Sequence, residues 1–246
     1  MDNDYNRFVP YYRLFIQESG HLKNEQNTLE QIIREINIPL ESRILDAACG
    51  TGDALYFLYQ KGFRNLTGVD ISTNMINQAR QLLSEISYHN CSWINIEKTV
   101  KESFDLLFII SISILHVDSA EEFNTVIKSF YNILDEAGIL VLDNRYWINK
   151  NGTLVEDHRR ENHKRCVSTF DYENNKIIIY DNCKYERHKQ IIEYTISNGH
   201  SSQTIEVKYL KITTHKIVEI LANAGFSRVL TKKYGTWPYE LIFAFK

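Results

Sequence analysis

The sequence predicts a doubly wound α/β fold, a mostly parallel sheet with helices on both faces, carrying an antiparallel β insertion as a lid. Three observations lead there. From residue 28 to about 145, short apolar runs alternate with segments of helical periodicity, the pattern of strands joined by crossover helices. The first such run breaks into the glycine turn Cys49-Gly50-Thr51-Gly52 before its helix begins, as at a strand-to-helix handover. After Trp147 the helical period gives way to alternating segments flanking Asn174-Asn175 and Asn198-Gly199, which read as two hairpins.

In chain order, Leu29, Ile32, Ile33 and Ile36 fall on one face of a helix over 28–38 that Pro39 ends. Arg43 to Ala48 is a short buried strand, and Ala54, Leu55 and Leu58 mark the next helix, stopped at Gly62. Asn65 to Val69 is the second strand and closes on Asp70. Ser72 then N-caps a helix with Met75, Ile76, Ala79, Leu82 and Leu83 on its inner face. Phe104 to Ile110 is apolar almost throughout, a strand buried on both faces. Glu121 to Leu134 is helical, Gly138 marks a turn, and Ile139 to Asp143 is the next strand. Val167 to Tyr172 pairs with Ile177 to Asp181, and Ile191 to Ile196 with Thr204 to Tyr209. Thr214 to Ala224 returns to helix with Gly225 as its stop, and Arg228 to Thr231 and Leu241 to Phe245 close the sheet. The expected organisation is a single domain: an N-terminal cap segment 1–27, a core 28–149, a β-rich insertion 150–210 and a return to the sheet over 211–246.

Bulk properties narrow the partners. The 246 residues carry a formal net charge of −3 with 24% charged residues, so no overall basic field draws the chain to nucleic acid or anionic lipid, and a small-molecule partner is expected. Cys49, Cys91, Cys166 and Cys183 are widely spaced, with no C-x-x-C pair; free thiols and no metal are expected. With a polar, tyrosine-rich start and no run of eighteen apolar residues, the expected location is cytoplasmic, without a membrane span. Hairpin edges in the insertion leave room for a homo-oligomer.

The most informative motif is Asp46-Ala47-Ala48-Cys49-Gly50-Thr51-Gly52. Gly50 and Gly52 allow a sharp turn and close approach of a ligand to the backbone. The free N–H groups of the following helix suit an anionic group such as an amino-acid carboxylate. Asp70, at the end of the second strand, can accept hydrogen bonds from both hydroxyls of a ribose. A dinucleotide turn G-x-G-x-x-G would need glycine at position 55, where this chain has Leu55, which argues against a nicotinamide cofactor. The plainer reading is a glycine turn that only packs the sheet.

With that motif, most of the chain resembles the class I S-adenosylmethionine-dependent methyltransferases, whose Rossmann-like fold the element order matches. Within that family it is most similar to the glycine and sarcosine N-methyltransferase group. Three later segments carry the likeness: Phe104-Asp105 leading to Ser113 and His116; Asp143-Asn144-Arg145-Tyr146-Trp147; and Ile192-Glu193-Tyr194-Thr195-Ile196 followed by Tyr209, Gly225 and Gly235-Thr236-Trp237. The resemblance implies S-adenosyl-L-methionine as cofactor and S-adenosyl-L-homocysteine as product. It implies that Ala48, Cys49, Gly50 and Gly52 line the amino-acid end of the cofactor, that Asp70 holds the ribose with Ile71 and Met75 beside it, and that Ser92 and Trp93 sit at the adenine. Ile110 and His116 would face the cofactor from the next strand, and Tyr12 and Tyr5 would close over it. Two departures stand out. Ile112 takes the place of an asparagine beside the substrate, which puts glycine itself in doubt and suggests a larger or less polar amine. Leu22 or Lys23 stands near the place of an arginine that meets the cofactor's carboxylate.

Methyl transfer from a sulfonium needs a lone pair held in line with the S–CH3 bond, so orientation and desolvation are the enzyme's main contributions. Arg145, just past the carboxyl end of a central strand, has the fork that matches a substrate carboxylate; its plainer reading is a surface ion pair. Tyr194 and Tyr209 on the insertion are candidate site tyrosines or cross-strand packing residues. His116 reads as a structural or cofactor hydrogen bond before it reads as a base. The expected activity is methyl transfer to a small-molecule amine, an amino acid or its derivative. The alternatives are a sugar amine, O-methylation of a small hydroxyl compound, an RNA or protein substrate, and a cofactor-binding module without turnover. Against nucleic acid, the chain has no Asn/Asp-Pro-Pro-Tyr/Phe motif, and the basic residues His158-Arg159-Arg160 and Lys164-Arg165 read as a solvated face.

Overall fold

The computed structural model describes residues 5–145, 163–186, 188–235 and 237–246, with the side chain of Tyr5 outside the description. Tyr146, Trp147, the basic run 158–160 and Thr236 therefore lie outside the described residues.

The chain begins with α1 (Tyr5–Glu18) and α2 (His21–Ile36), then alternates through β1 (Ile44–Asp46), α3 (Asp53–Gln60), β2 (Leu66–Asp70), α4 (Thr73–Leu82), β3 (Ser87–Asn90), α5 (Ile96–Thr99), β4 (Phe104–Ile109), α6 (Ala120–Ile133) and β5 (Leu134–Asn144). Four strands follow, β6 (Arg165–Tyr172), β7 (Asn175–Tyr185), β8 (Lys189–Ser197) and β9 (Ser202–Leu210). The chain then closes with α7 (Thr214–Ala224), β10 (Arg228–Lys232) and β11 (Glu240–Phe245). The main sheet has seven strands in the order β10-β11-β5-β4-β1-β2-β3, with β11 antiparallel to both neighbours and the remaining pairs parallel.

Alternation along each strand sorts the core into two layers, since successive side chains point to opposite faces. On one face Leu45, Leu107, Ile109, Leu140 and Leu142 meet Phe123, Val126, Ile127 and Phe130 of α6 and Ile217 and Leu221 of α7. On the other, Ile44, Leu106, Phe108, Val141 and Phe243 meet Leu29 and Ile32 of α2, Leu55 and Leu58 of α3, and Ile76 and Ala79 of α4. A third cluster joins Phe8 of α1 to Phe170, Ile177, Ile179, Ile196 and Ile205 of the antiparallel sheet β6-β7-β8-β9. That helix thus bridges core and insertion, and the insertion's inner face closes over the carboxyl edge of the main sheet. None of the described helices is long and apolar enough to cross a membrane.

Several expectations need correction. The segment 1–27 contains a full helix, α1, and the first turns of α2, which starts at His21 rather than residue 28. Pro10, the sixth residue of α1, hid the helix from the sequence because an interior proline cannot donate the i→i−4 hydrogen bond. Gly138 is not a turn between helix and strand: β5 runs unbroken from Leu134 to Asn144, with a register irregularity opposite Phe104 and Leu106. There a Cβ on residue 138 would lie 2.9 Å from the carbonyl oxygens of Asp135 and Phe104, so the backbones meet too closely for a side chain. The short polar strand β3, with Ser87 and Asn90 exposed, carried no apolar pattern to reveal it. Both hairpins are present, each strand two to six residues longer than read.

Candidate active site

The chain crosses from one side of β1 to the other between β3 and β4, and ligands of such sheets bind outside the carboxyl ends of the strands at that point. Loops after β1, β2, β4 and β5 gather there. After β1, Asp46 turns back to accept the Ala48 N–H at 3.1 Å, and the chain enters the glycine turn with Gly50 at φ 49° and Gly52 at φ 82°. After β2, the two carboxylate oxygens of Asp70 accept the N–H groups of Gly50 (3.0 Å) and Ser72 (2.8 Å), which locks the two loops together. The two glycines do different work. A Cβ on Gly52 would stand 3.0 Å from the Ala79 Cβ and from the Tyr88 hydroxyl, so its bareness serves packing. A Cβ on Gly50 would meet only Tyr12 Cε1, at 3.9 Å, and would project into a cleft.

That cleft is lined by Ala48 to Thr51, by Tyr12 and Ile16 of α1, by Glu25 of α2, and by Ile110, Ser111 and Ser113 beyond β4. It is acidic: Glu25, Asp46 and Asp53 all face it, and Arg13 of α1 donates from Nε to Asp53 at 2.9 Å. Burial pushes the carboxyls of Asp46, Glu25 and Asp70 upward, the Ala48 N–H opposing it at Asp46 and the Ser72 and Gly50 N–H groups at Asp70. A cationic ligand would relieve that cost. The Tyr12 hydroxyl is also pushed up, by burial and then by the Glu25 charge.

Beyond β4 the backbone takes a costly path. Ser111 and Ile112 are both left-handed, at φ 64° and 56°, a conformation that costs about 1–2 kcal/mol per ordinary residue. Asp143 at the end of β5 holds them there. Its fully buried carboxylate accepts the N–H of Ser111 (2.9 Å) and of Ile112 (2.7 Å), and the indole N–H of Trp237 (3.1 Å). Burial raises this carboxyl to about 7, with those three bonds pulling the other way. The turn aims the Ser111 hydroxyl at Glu25 (2.7 Å), with His21 Nε2 3.0 Å away.

The next residues of β5 set the wall of a second, larger cavity of about 560 Å³. Asn144 is buried and donates to the Ile212 carbonyl and Thr214 hydroxyl, so Arg145 leaves a fixed strand end. Its guanidinium lies 5.3 Å from the ring centre of Tyr209 and 5.7 Å from that of Tyr239, and donates to Gln190 Oε1. Tyr194 stacks on Phe8 at 5.8 Å and meets Phe15 edge-on, while Arg165 makes a two-pronged pair with Asp181 at 2.7 and 3.1 Å. The two cavities share Tyr12, Ile16, Ser111 and Ser113, and so abut.

Of the residues singled out in the sequence, Tyr12, Ala48, Cys49, Gly50 and Ile110 line the small cleft, while Arg145, Tyr194, Tyr209 and His116 line the large cavity. Asp70 and Ile71 stand side by side at the end of β2, with Ile71 62% exposed. Met75 is buried under the turn. Trp93 is half-buried in the loop after β3, its indole N–H donating to the Ala47 carbonyl at 2.6 Å and its ring edge-on to Phe130. Ser92 accepts from the side-chain amide of Asn95 at 3.2 Å. Lys23 is exposed, and the arginine at the cleft is Arg13 instead. Arg13, Glu25, Gln190 and Tyr239 escaped the sequence reading because they lie on α1, α2, β8 and the loop before β11, with no motif linking them.

The donor set suits S-adenosylmethionine. The open space over Gly50 admits its amino-acid end, the buried carboxylates match its ammonium and sulfonium, Asp70 suits its ribose, and Ile71 offers an apolar surface next to that carboxylate.

Comparison with known proteins agrees. Residues 44–138 match the family model of a methyltransferase domain. A glycine/sarcosine N-methyltransferase from Aphanothece halophytica is 32% identical over 110 residues, which cover 42% of this chain and 40% of that protein. The dTDP-3-amino-3,4,6-trideoxy-alpha-D-glucopyranose N,N-dimethyltransferase of Streptomyces venezuelae is 25% identical over 119 residues, 48% of each chain. The chain thus spans less than half the length of these curated relatives. A solved sugar N-methyltransferase from Streptoalloteichus superposes with a TM-score of 0.74 at 19% identity, over 96% of this chain and 92% of that one, and so shares the fold. Over residues 44–138 the chain is thus similar to a methyltransferase domain, and its fold is shared with solved methyltransferases.

Proposed function

We propose that the protein is an N-methyltransferase for a small-molecule amine that bears an anionic group, an amino acid derivative larger than glycine. The observation that carries this reading is the buried guanidinium of Arg145 in a cavity that abuts the cofactor cleft. S-adenosylmethionine supplies the electrophilic methyl group on its sulfonium. Arg145 presents a planar fork to a carboxylate or phosphate, and the tyrosine rings beside it restrict its rotation. Its positive charge also disfavours the ammonium form of an amine nearby, so the neutral, nucleophilic form is bound preferentially. Tyr194 and Tyr209 offer hydroxyls to the amine, and Phe8, Phe15 and Ile112 exclude water from the junction of the two cavities.

A second reading, a sugar amine as acceptor, is favoured by cavity size, since 560 Å³ lies within the range of about 300–1,000 Å³ for ligand pockets and far exceeds the needs of glycine. The same experiment tests both. Methyl transfer is scored across a panel of glycine, sarcosine, bulkier amino acids and neutral amino sugars, with the native protein and with Arg145→Ala. Turnover of a carboxylated amine that collapses in the variant supports the first reading. Turnover of a neutral amino sugar that survives supports the second, and methylation of no amine at all overturns both.

A further inference from the structure

Gln190, the second residue of β8, is buried, 2% exposed. Side chains of a strand alternate between its two faces, so Gln190 shares a face with Ile192, Tyr194 and Ile196. The strand register pairs it with Tyr185 of β7 on one side and with Tyr209 of β9 on the other, which sets Tyr185, Gln190 and Tyr209 in one row across the insertion sheet. Arg145 leaves the end of β5 in the main sheet and meets this row: its guanidinium lies over the Tyr209 ring and donates from Nη1 to Gln190 Oε1. Arg145 lines the large cavity and Gln190 stands behind it.

The amide of Gln190 has one way to sit. A guanidinium only donates, so the amide oxygen must face Arg145. The amide nitrogen then turns to the Cys183 sulfur and the Tyr185 hydroxyl, each 3.1 Å away. Both of these belong to β7, two residues apart and therefore on one face of it. Flipping the amide would set donor against donor at Arg145 and leave the nitrogen's two partners facing an oxygen. Burying an amide costs free energy unless its polar atoms are paired, and here the nitrogen is tethered to β7 while the oxygen is presented to Arg145.

We infer that Gln190 is a positioning residue for Arg145: it fixes the rotation of the guanidinium plane, and with it the orientation in which the acceptor's anionic group is held. This rests on the N-methyltransferase reading and adds a residue to it. The anionic group and the amine belong to one molecule, so the angle at which the first is gripped sets where the second points. A misplacement of about 1 Å is enough to cost about a hundredfold in rate. The uncharged character of residue 190 matters as well. A carboxylate there would pair with Arg145 and compete with the ligand's own anion, whereas an amide holds the guanidinium without cancelling its charge.

Two substitutions and one double variant test this. Gln190→Met keeps the length of the side chain and removes the amide. It is expected to bind S-adenosylhomocysteine within about twofold of the native protein by calorimetry, and to lose at least about tenfold in kcat for the best carboxylated amine of the panel. Gln190→Glu keeps the hydrogen-bonding shape and is expected instead to raise KM for that amine at least about tenfold, because the new carboxylate occupies Arg145. In the Arg145→Ala background, Gln190→Met is expected to change kcat/KM by less than about twofold, since no guanidinium is left to position. A purely structural glutamine predicts the same loss in both backgrounds. Gln190→Met turning over like the native protein, an equal loss with and without Arg145, or an unchanged KM in Gln190→Glu overturns the inference. A native protein that methylates no amine, or that methylates its best amine equally well as Arg145→Ala, defeats the function reading itself, and this inference falls with it.

Discussion

Replacing each glycine of the turn by alanine separates the ligand's demands from those of the fold. Both residues are left-handed, at φ 49° and 82°, and alanine there costs about 1–2 kcal/mol. For Gly50→Ala that is the whole structural cost, because the nearest protein atom to the new Cβ is 3.9 Å away. For Gly52→Ala the new methyl meets Ala79 and Tyr88 at 3.0 Å, with the Ala79 Cα, a backbone atom, at 3.2 Å. Overpacking of this kind adds about 1–3 kcal/mol, for a total of about 2–5 kcal/mol. Denaturant unfolding therefore places Gly52→Ala well below Gly50→Ala. Calorimetry with S-adenosylhomocysteine reverses the order of damage: Gly50→Ala loses at least tenfold, or about 1.4 kcal/mol, while the folded fraction of Gly52→Ala still binds. Native-like binding by Gly50→Ala would refute the assignment of the cleft above Gly50.

Other outcomes follow from the same geometry. Arg145→Ala should reduce kcat/KM for a carboxylated amine at least a hundredfold while leaving S-adenosylhomocysteine binding unchanged, since Arg145 lines only the larger cavity; steady-state kinetics and calorimetry check the two halves. Asp143→Asn turns one of the two accepting oxygens into a donor that faces a backbone N–H of the 111–112 turn. Slackening of that turn should appear as faster amide exchange at Ser111 and Ile112. The same variant should change the pH dependence of stability. The folded carboxyl sits near 7 against an ordinary 3.8, so the native state keeps a proton that the unfolded chain has lost. Asp143's stabilising contribution is full below about 4 and declines as pH rises towards 7. The stability of the native protein relative to Asp143→Asn should fall across that window and level off above it.

The sequence showed where the cofactor would lie more readily than what would be methylated. The glycine turn and Asp70 were legible because they are local: their spacing is set by one strand, one turn and the next strand. The two hairpins were legible from Asn-rich turns between alternating runs. Asp143 was read as a strand end and the start of a family-like run, but not as a brace, since its partners Ser111, Ile112 and Trp237 are brought to it by tertiary packing. His116 read as a residue facing the cofactor because the strand was taken to lead straight to it. It ends the 3-10 turn that follows the left-handed Ser111 and Ile112 and lines the larger cavity, and no residue type at 111 or 112 announces that backbone path. The helix α1, which roofs the cleft with Tyr12 and supplies Arg13, was hidden by Pro10 and by a face of aromatic rather than aliphatic residues.

The central claim is that the carboxyl edge of the sheet holds S-adenosylmethionine through Asp70 and the turn it braces. Calorimetric titration of S-adenosylhomocysteine into the native protein and into Asp70→Ala, with unfolding curves to establish that both are folded, tests it most directly. One-to-one binding by the native protein, weakened more than tenfold in the variant, is the predicted result, because hydrogen bonds to a charged acceptor contribute about 1.5–3 kcal/mol each. A folded native protein that does not bind, or equal binding by the two, would contradict the account.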